Sequence, residues 1–176
     1  MQRRIVSGLF RSRAAADNAI DAVLSVGYTG RDVGVVMSDQ THRAAVDETT
    51  GTQAAAGAGI GGAVGGTLGA VLGAIVAVGS SFVVPGLGLV VAGPIAAALA
   101  GAGAGGAAGG LVGALVGAGI PEHHARDYAA GLERGGILLT VEPRTDADAD
   151  MLARLMENAG AVSVRHQMAE RTVEEV

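Results

Sequence analysis

Two hydrophobic rhythms alternate in the charged parts of this chain. Ile5 to Phe10 is a short apolar run that predicts a strand, and Arg13 to Val26 places Ala16, Ile20, Val23 and Leu24 at helical spacing before Gly27. Val33 to Met37 predicts a second strand. Further on, Pro121 opens a helix to about Arg134, Ile137 to Val141 predicts a strand, and Asp148 to Asn158 a helix bearing Leu152, Leu155 and Met156. Val162 to Val164 predicts the last strand. Ala16-Asp17 and Ala149-Asp150 hold equivalent places in the two helices, and Gly160 ends its helix as Gly27 does, so the flanks read as duplicated βαβ halves. Two such halves predict an α+β, ferredoxin-like split βαβ domain with both long helices on one face. Its expected core is Ile5, Leu9, Ile20, Val23, Leu24, Val35, Leu139, Val141, Leu152, Leu155 and Val164.

Between the halves the pattern changes. From Thr49 to Pro121 there is no charged residue and no histidine, and glycine recurs at every fourth position in two runs: Gly57, Gly61, Gly65, Gly69, Gly73, and Gly101, Gly105, Gly109, Gly113, Gly117. Four-residue spacing puts each run on one helical stripe, where missing side chains let another backbone approach. Glycine costs a helix interior roughly 1 kcal/mol relative to alanine, so ten regular glycines need compensating helix contact. The stretches Gly61 to Gly73 and Gly105 to Gly117 are copies with glycines in register. Pro85, Gly86, Gly88 and Pro94 lie between them and predict the turn of a long antiparallel helical hairpin with arms of roughly 42 Å. The organisation expected is therefore 1–48 and 121–168 as two halves of one domain, 49–120 as an inserted glycine-zipper hairpin, and 169–176 as an acidic tail. Such an insertion would be dispensable for folding of the flanks.

Composition narrows the function classes. The chain has 12 basic residues, all of them Arg, against 17 acidic ones, a net charge of −5 and no Cys. An acidic chain without a basic cluster is a poor nucleic-acid binder, and the lack of Cys removes thiol chemistry and disulfides. The segment MQRRIVSGLFRSR has only about six apolar positions before Arg11, short for a signal-peptide core, which places the charged part in the cytoplasm as an expectation.

The run Val6-Ser7-Gly8-Leu9-Phe10, with Ala14, Ala19-Ile20, Leu24, Gly27-Tyr28 and Asp32-Val33-Gly34-Val35-Val36, resembles the N-terminal signature of the heat-induced stress protein YflT family, the general stress proteins. Related bacterial sequences carry a similar Gly/Ala hairpin followed by segments like Gly119-Ile120-Pro121-Glu122 and Gly135-Gly136-Ile137-Leu138. The resemblance implies stress-linked expression and a non-enzymatic role, and carries over no catalytic residue.

Candidate chemistry is sparse. Asp146, Asp148, Asp150 and Glu157 match part of a calcium-loop pattern, but Met151 stands where the loop needs glycine. Helix capping by Asp146 or Asp148 is the simpler reading. His123 and His124 point to different helix faces and have only His42 and His166 as further imidazoles, so a metal site is not expected. A solvated helix start or a pH-sensitive contact fits them better. Gly57 to Gly62 and Gly101 to Gly106 satisfy GxGxxG without a preceding strand, and no nucleotide cofactor is expected. No enzyme motif occurs. Two readings follow: a hairpin inserted in or on the cytoplasmic membrane, using Ile60 to Val84 as a span, or a soluble homo-oligomer whose hairpins bundle and hide one another. In both, the partner is the chain itself.

Overall fold

In a computed structural model, residues 5–38, 40–41, 81–84, 89–93, 110–117 and 120–167 are described. The chain is α+β, built on one antiparallel sheet. Its strands are β1 (Ile5–Phe10), β2 (Val33–Ser38), β3 (Ser81–Val84), β4 (Leu89–Ala92), β5 (Ile137–Val141) and β6 (Ser163–Gln167), ordered β3-β4-β2-β5-β1-β6. Strand β5 is antiparallel to both β1 and β2, and β1 antiparallel to both β5 and β6. Each β-α-β half therefore brackets one strand of the other half, with Val6 opposite Val141 and Val35 opposite Leu139.

Two helices join these strands. Helix α1 (Arg13–Ser25) is capped by Ser12, whose side chain accepts from the Ala15 amide; α3 (Asp146–Asn158) is capped by Thr145, which accepts from the Asp148 amide. Thr145 therefore takes the cap expected of Asp146 or Asp148. Its extended backbone, φ −139° and ψ 168°, sets the hydroxyl at the helix entrance, leaving Asp146 and Asp148 in the first turn, where the helix dipole favours negative charge.

Period-two alternation divides the strands between two cores. On one face, Val6, Phe10, Val35, Met37, Ile137, Leu139 and Val141 pack with Ile20 and Val23 of α1 and Leu152 and Met156 of α3. On the other, Leu9, Val36, Val91 and Leu138 pack with Ala125, Tyr128, Ala129 and Leu132 of α2 (Glu122–Glu133) and with Ala114 and Leu115. Leu9 lies in this second core, apart from the helices it was expected to join. Ile5, Leu24, Leu155 and Val164 are half-buried, and the large buried residues absent from the expected set include Phe10, Met37, Leu115, Tyr128, Leu132, Ile137, Leu138 and Met156. Gly131 brings α2 close to the sheet: a Cβ there would collide with the Leu9 side chain.

The largest departure lies in the uncharged segment. Ser81–Val84, which the apolar pattern places at the end of a membrane-length helix, is a strand; Leu89–Ala92 pairs with β2, Val36 opposite Val91. Val90, Val91 and Ala92 are buried. The middle of the segment thus completes the sheet instead of standing at the remote end of a two-helix hairpin, and an apolar run of four to eight residues is where helix and strand patterns are least distinguishable. Gly93 turns the chain away from β4 at φ +82°, against the backbone of Val33 and Gly34. Residues 52–119 consequently contribute Val90, Val91, Ala92, Ala114 and Leu115 to the two cores, which the reading of this segment as a separate hairpin did not expect. Among the described residues, no helix is long and apolar enough to cross a membrane.

Candidate functional site

Of the ten zipper glycines, Gly113 and Gly117 fall within the described residues; Gly57, Gly61, Gly65, Gly69, Gly73, Gly101, Gly105 and Gly109 lie outside them, as do Pro85, Gly86, Gly88 and Pro94 and both GxGxxG matches. Residues 110–117 are helical, and the two sides of this helix differ sharply. Ala114 and Leu115 are buried, Leu115 completely, against the second face of the sheet, and Leu111 and Val112 pack beside them. The opposite side presents Gly113, Val116 and Gly117; Val116 is 41% exposed. A Cβ added at Gly113 meets nothing within 4 Å among the described residues. At the end of the helix the Ile120 amide returns to the Leu115 carbonyl at 3.1 Å, and Ile120 is buried beside Ala125 and Tyr128. The long return bond satisfies a terminal carbonyl and anchors the segment.

Beneath α2 lies a buried polar pair. The Ser7 hydroxyl is 2.8 Å from the Tyr128 hydroxyl, and both residues are essentially inaccessible. Ser7 also donates to the Arg165 carbonyl at 3.4 Å. Burial raises the Tyr128 phenol above its ordinary pKa, an effect opposed by its bond with Ser7. It therefore stays protonated and serves as a hydrogen-bonding anchor. Thr140, the Cα partner of Ser7 on β5, is the other buried polar residue among those described. At the entrance to α2, Arg165 donates from Nε to His124 Nδ1 at 3.4 Å. Burial, then the charges of His123 and Arg165, holds the His124 pKa below the usual histidine value. The adjacent-histidine motif thus holds a side-chain contact at the helix start. Ser7 and Tyr128 were missed as a pair, although Ala125, Tyr128, Ala129 and Leu132 form a helical stripe legible in the sequence.

A second cluster ties the two halves together. The Tyr28 hydroxyl donates to Asp148 Oδ2 at 3.0 Å and accepts from the Arg144 amide at 3.3 Å. The Arg144 guanidinium lies 4.4 Å from the Tyr28 ring centroid and donates to the Gly27 carbonyl at 2.9 Å. This clasp joins the loop after α1 to the entrance of α3, and it engages one carboxylate of the calcium-like run. Among the described residues, no three His, Cys, Asp or Glu side chains are grouped to hold a metal ion. A shallow groove of about 490 Å³ between α3 and β6 is lined by Asp150, Ala153, Arg154, Glu157, Val164 and Arg165. Its mixed charges on an open surface lack the enclosed apolar lining of small-molecule sites.

No protein-family model, no curated protein and no solved structure matches this chain. The candidate site is accordingly the outward side of residues 110–117 with the repeat to which it belongs, on a domain whose buried polar groups hold it together.

Proposed function

We propose that this protein is a non-enzymatic, self-assembling structural protein: a ferredoxin-like split βαβ domain that carries glycine-zipper segments and associates with its own copies through them. The strand order β2-β5-β1-β6 and the pairing of α1 with α3 on one face support the ferredoxin-like reading. The observation that carries the assembly reading is the two-sidedness of residues 110–117. Leu115 anchors the helix inward, while Gly113 and Gly117, members of the four-residue repeat, lie on its other side, where none of the described residues comes within 4 Å of the Gly113 Cβ position. A glycine stripe that the described residues leave clear suits close approach of another helix backbone.

Anchoring of β4 in the sheet favours a protein-covered assembly over a two-pass membrane hairpin, because a segment whose middle pairs with β2 holds that middle at the domain. Copies of the same chain are the simplest cover for the uncharged segment, with the charged domains outside. The role in stress implied by the YflT-family resemblance would then be that of a scaffold or particle. Carbonate washing of cell membranes tests the choice. Release of the protein as a discrete particle heavier than one chain supports the assembly, and retention in the membrane pellet supports insertion.

A further inference from the structure

Helix α2 is held at its entrance differently from the other two. Ser12 and Thr145 cap α1 and α3 through their hydroxyls, whereas Pro121 has no polar side chain with which to cap α2. The restraint comes from β6 instead. Arg165 donates from Nε to His124 Nδ1 at 3.4 Å, while the Arg165 carbonyl accepts from Ser7, whose hydroxyl meets Tyr128 one turn further along α2. Two ties thus join β6 to α2, and they differ in chemistry. The tie through Ser7 and Tyr128 is indifferent to neutral or acid pH, because burial raises the phenol and keeps it protonated. The tie through His124 needs an imidazole with a lone pair on Nδ1, and a proton there turns the acceptor into a donor facing a donor.

The surrounding charges act in the same direction. The His123 ring lies beside His124, with centroids 3.8 Å apart, and the Arg165 guanidinium faces it from β6. Asp127 on α2 opposes them, while Glu122 and Arg126 pair with each other along the same helix. The first turn of a helix also disfavours positive charge.

We propose that the His124–Arg165 contact is an acid-released latch on the entrance of α2, and that its opening loosens the junction through which residues 110–117 are anchored. That junction is short. Ile120, buried beside Ala125 and Tyr128, returns its amide to the Leu115 carbonyl, and the Pro121 carbonyl accepts from the His124 and Ala125 amides at 3.0 and 2.9 Å. Freeing the first turn of α2 therefore frees the segment bearing Gly113 and Gly117, while Tyr128 keeps the rest of the helix seated. Burial, then the charges of His123 and Arg165, makes the folded chain bind the His124 proton less tightly than the unfolded chain. The latch is accordingly complete above about pH 6.5 and is lost as pH falls through the lower folded value. It is a property of the single chain and goes beyond self-assembly.

Amide exchange and histidine NMR of the full-length protein, at dilution and between about pH 8 and about pH 5, test the latch. Protection at Ile120 and Ala125, corrected for the intrinsic effect of pH, is expected to fall several-fold as His124 titrates. In His124→Gln, whose amide oxygen offers Arg165 an acceptor that does not titrate, that fall is expected to disappear. Arg165→Met removes the donor and the charge together, and is expected to move the His124 titration upward and to leave the junction weakly protected at every pH. Protection that stays level through the His124 titration, a fall that persists in His124→Gln, or a His124 that titrates at or above about pH 6.5 in the unmodified chain overturns the proposal. Thermal transitions of both variants report whether they fold, and the unmodified chain decides by itself if they do not.

Discussion

The hydroxyls of Ser7 and Tyr128 meet 2.8 Å apart between β1 and α2, in a buried site at the second face of the sheet. This bond gives α2 a fixed seat that apolar contact alone would leave free to slide. Tyr128→Phe keeps the ring but leaves the Ser7 hydroxyl with its bond to the Arg165 carbonyl alone, and is expected to destabilise the domain by about 0.5–1.5 kcal/mol. Adding Ser7→Ala is expected to cost less than the sum of the single changes, since the bond the two hydroxyls share is lost only once. Denaturant titration of the two single variants and the double variant measures the coupling; strict additivity would show that the bond contributes nothing.

The same residue sets an alkaline limit. Burial raises the Tyr128 pKa, so the folded chain holds that proton more tightly than the unfolded chain. Its contribution to stability is complete below the unfolded value, about pH 10, and declines as pH rises through the higher folded value. Phenolate absorbance is expected to show Tyr128 ionising together with loss of structure, and Tyr128→Phe is expected to weaken the fall in stability above about pH 10. Ordinary titration of both tyrosines near pH 10 in a folded chain would contradict the burial argument.

Two glycines in the uncharged segment are expected to respond oppositely to alanine. Gly93 sits at φ +82° against Val33 and Gly34, so Gly93→Ala combines an unfavourable backbone region with a backbone collision and is expected to cost at least about 1–3 kcal/mol. At Gly113 the Cβ meets none of the described residues within 4 Å, and Gly113→Ala is expected to leave the domain's own stability unchanged or raise it by up to about 1 kcal/mol. Thermal melts at dilution sufficient to limit association compare them.

Leu115 and Val116 are adjacent in sequence but belong to different surroundings. Leu115→Ala empties a fully buried position and is expected to cost about 2–5 kcal/mol. Val116→Ala, at a site 41% exposed, is expected to change stability by less than about 0.5 kcal/mol. Equal effects in chemical denaturation would mean that residues 110–117 do not hold the face assigned to them.

The charged flanks were legible because their elements are short and their periods clean. Ile5–Phe10 and Ile137–Val141 match the expected strands, α1 starts at Arg13 as its spacing predicts, and Gly27 and Gly160 both take positive φ beyond their helices. The last strand was harder, since Ser163–Gln167 mixes polar and charged residues that mask alternation. Assignment of α2 to the opposite face escaped local reading because helical spacing identifies an apolar stripe without saying which face of a sheet receives it. The strands at Ser81–Val84 and Leu89–Ala92 were hidden by their uniformly apolar neighbours, where β pairing decides the outcome through β2, more than 40 residues earlier in the chain. At the candidate site, the four-residue repeat identified Gly113 and Gly117 as one stripe; only the burial of Leu115 showed which way that stripe faces.

Sedimentation velocity of the full chain in plain buffer tests the central claim most directly, with Gly113→Leu and Ala63→Leu measured beside it. The unmodified chain is expected to sediment as a species several times heavier than 17.2 kDa, and Gly113→Leu to shift it toward lower mass because leucine forces the approaching backbone away. Ala63→Leu, off the glycine stripe, is expected to leave the assembly intact. A single species at the mass of one chain, or equal effects of the two leucines, would contradict assembly through the glycine stripe.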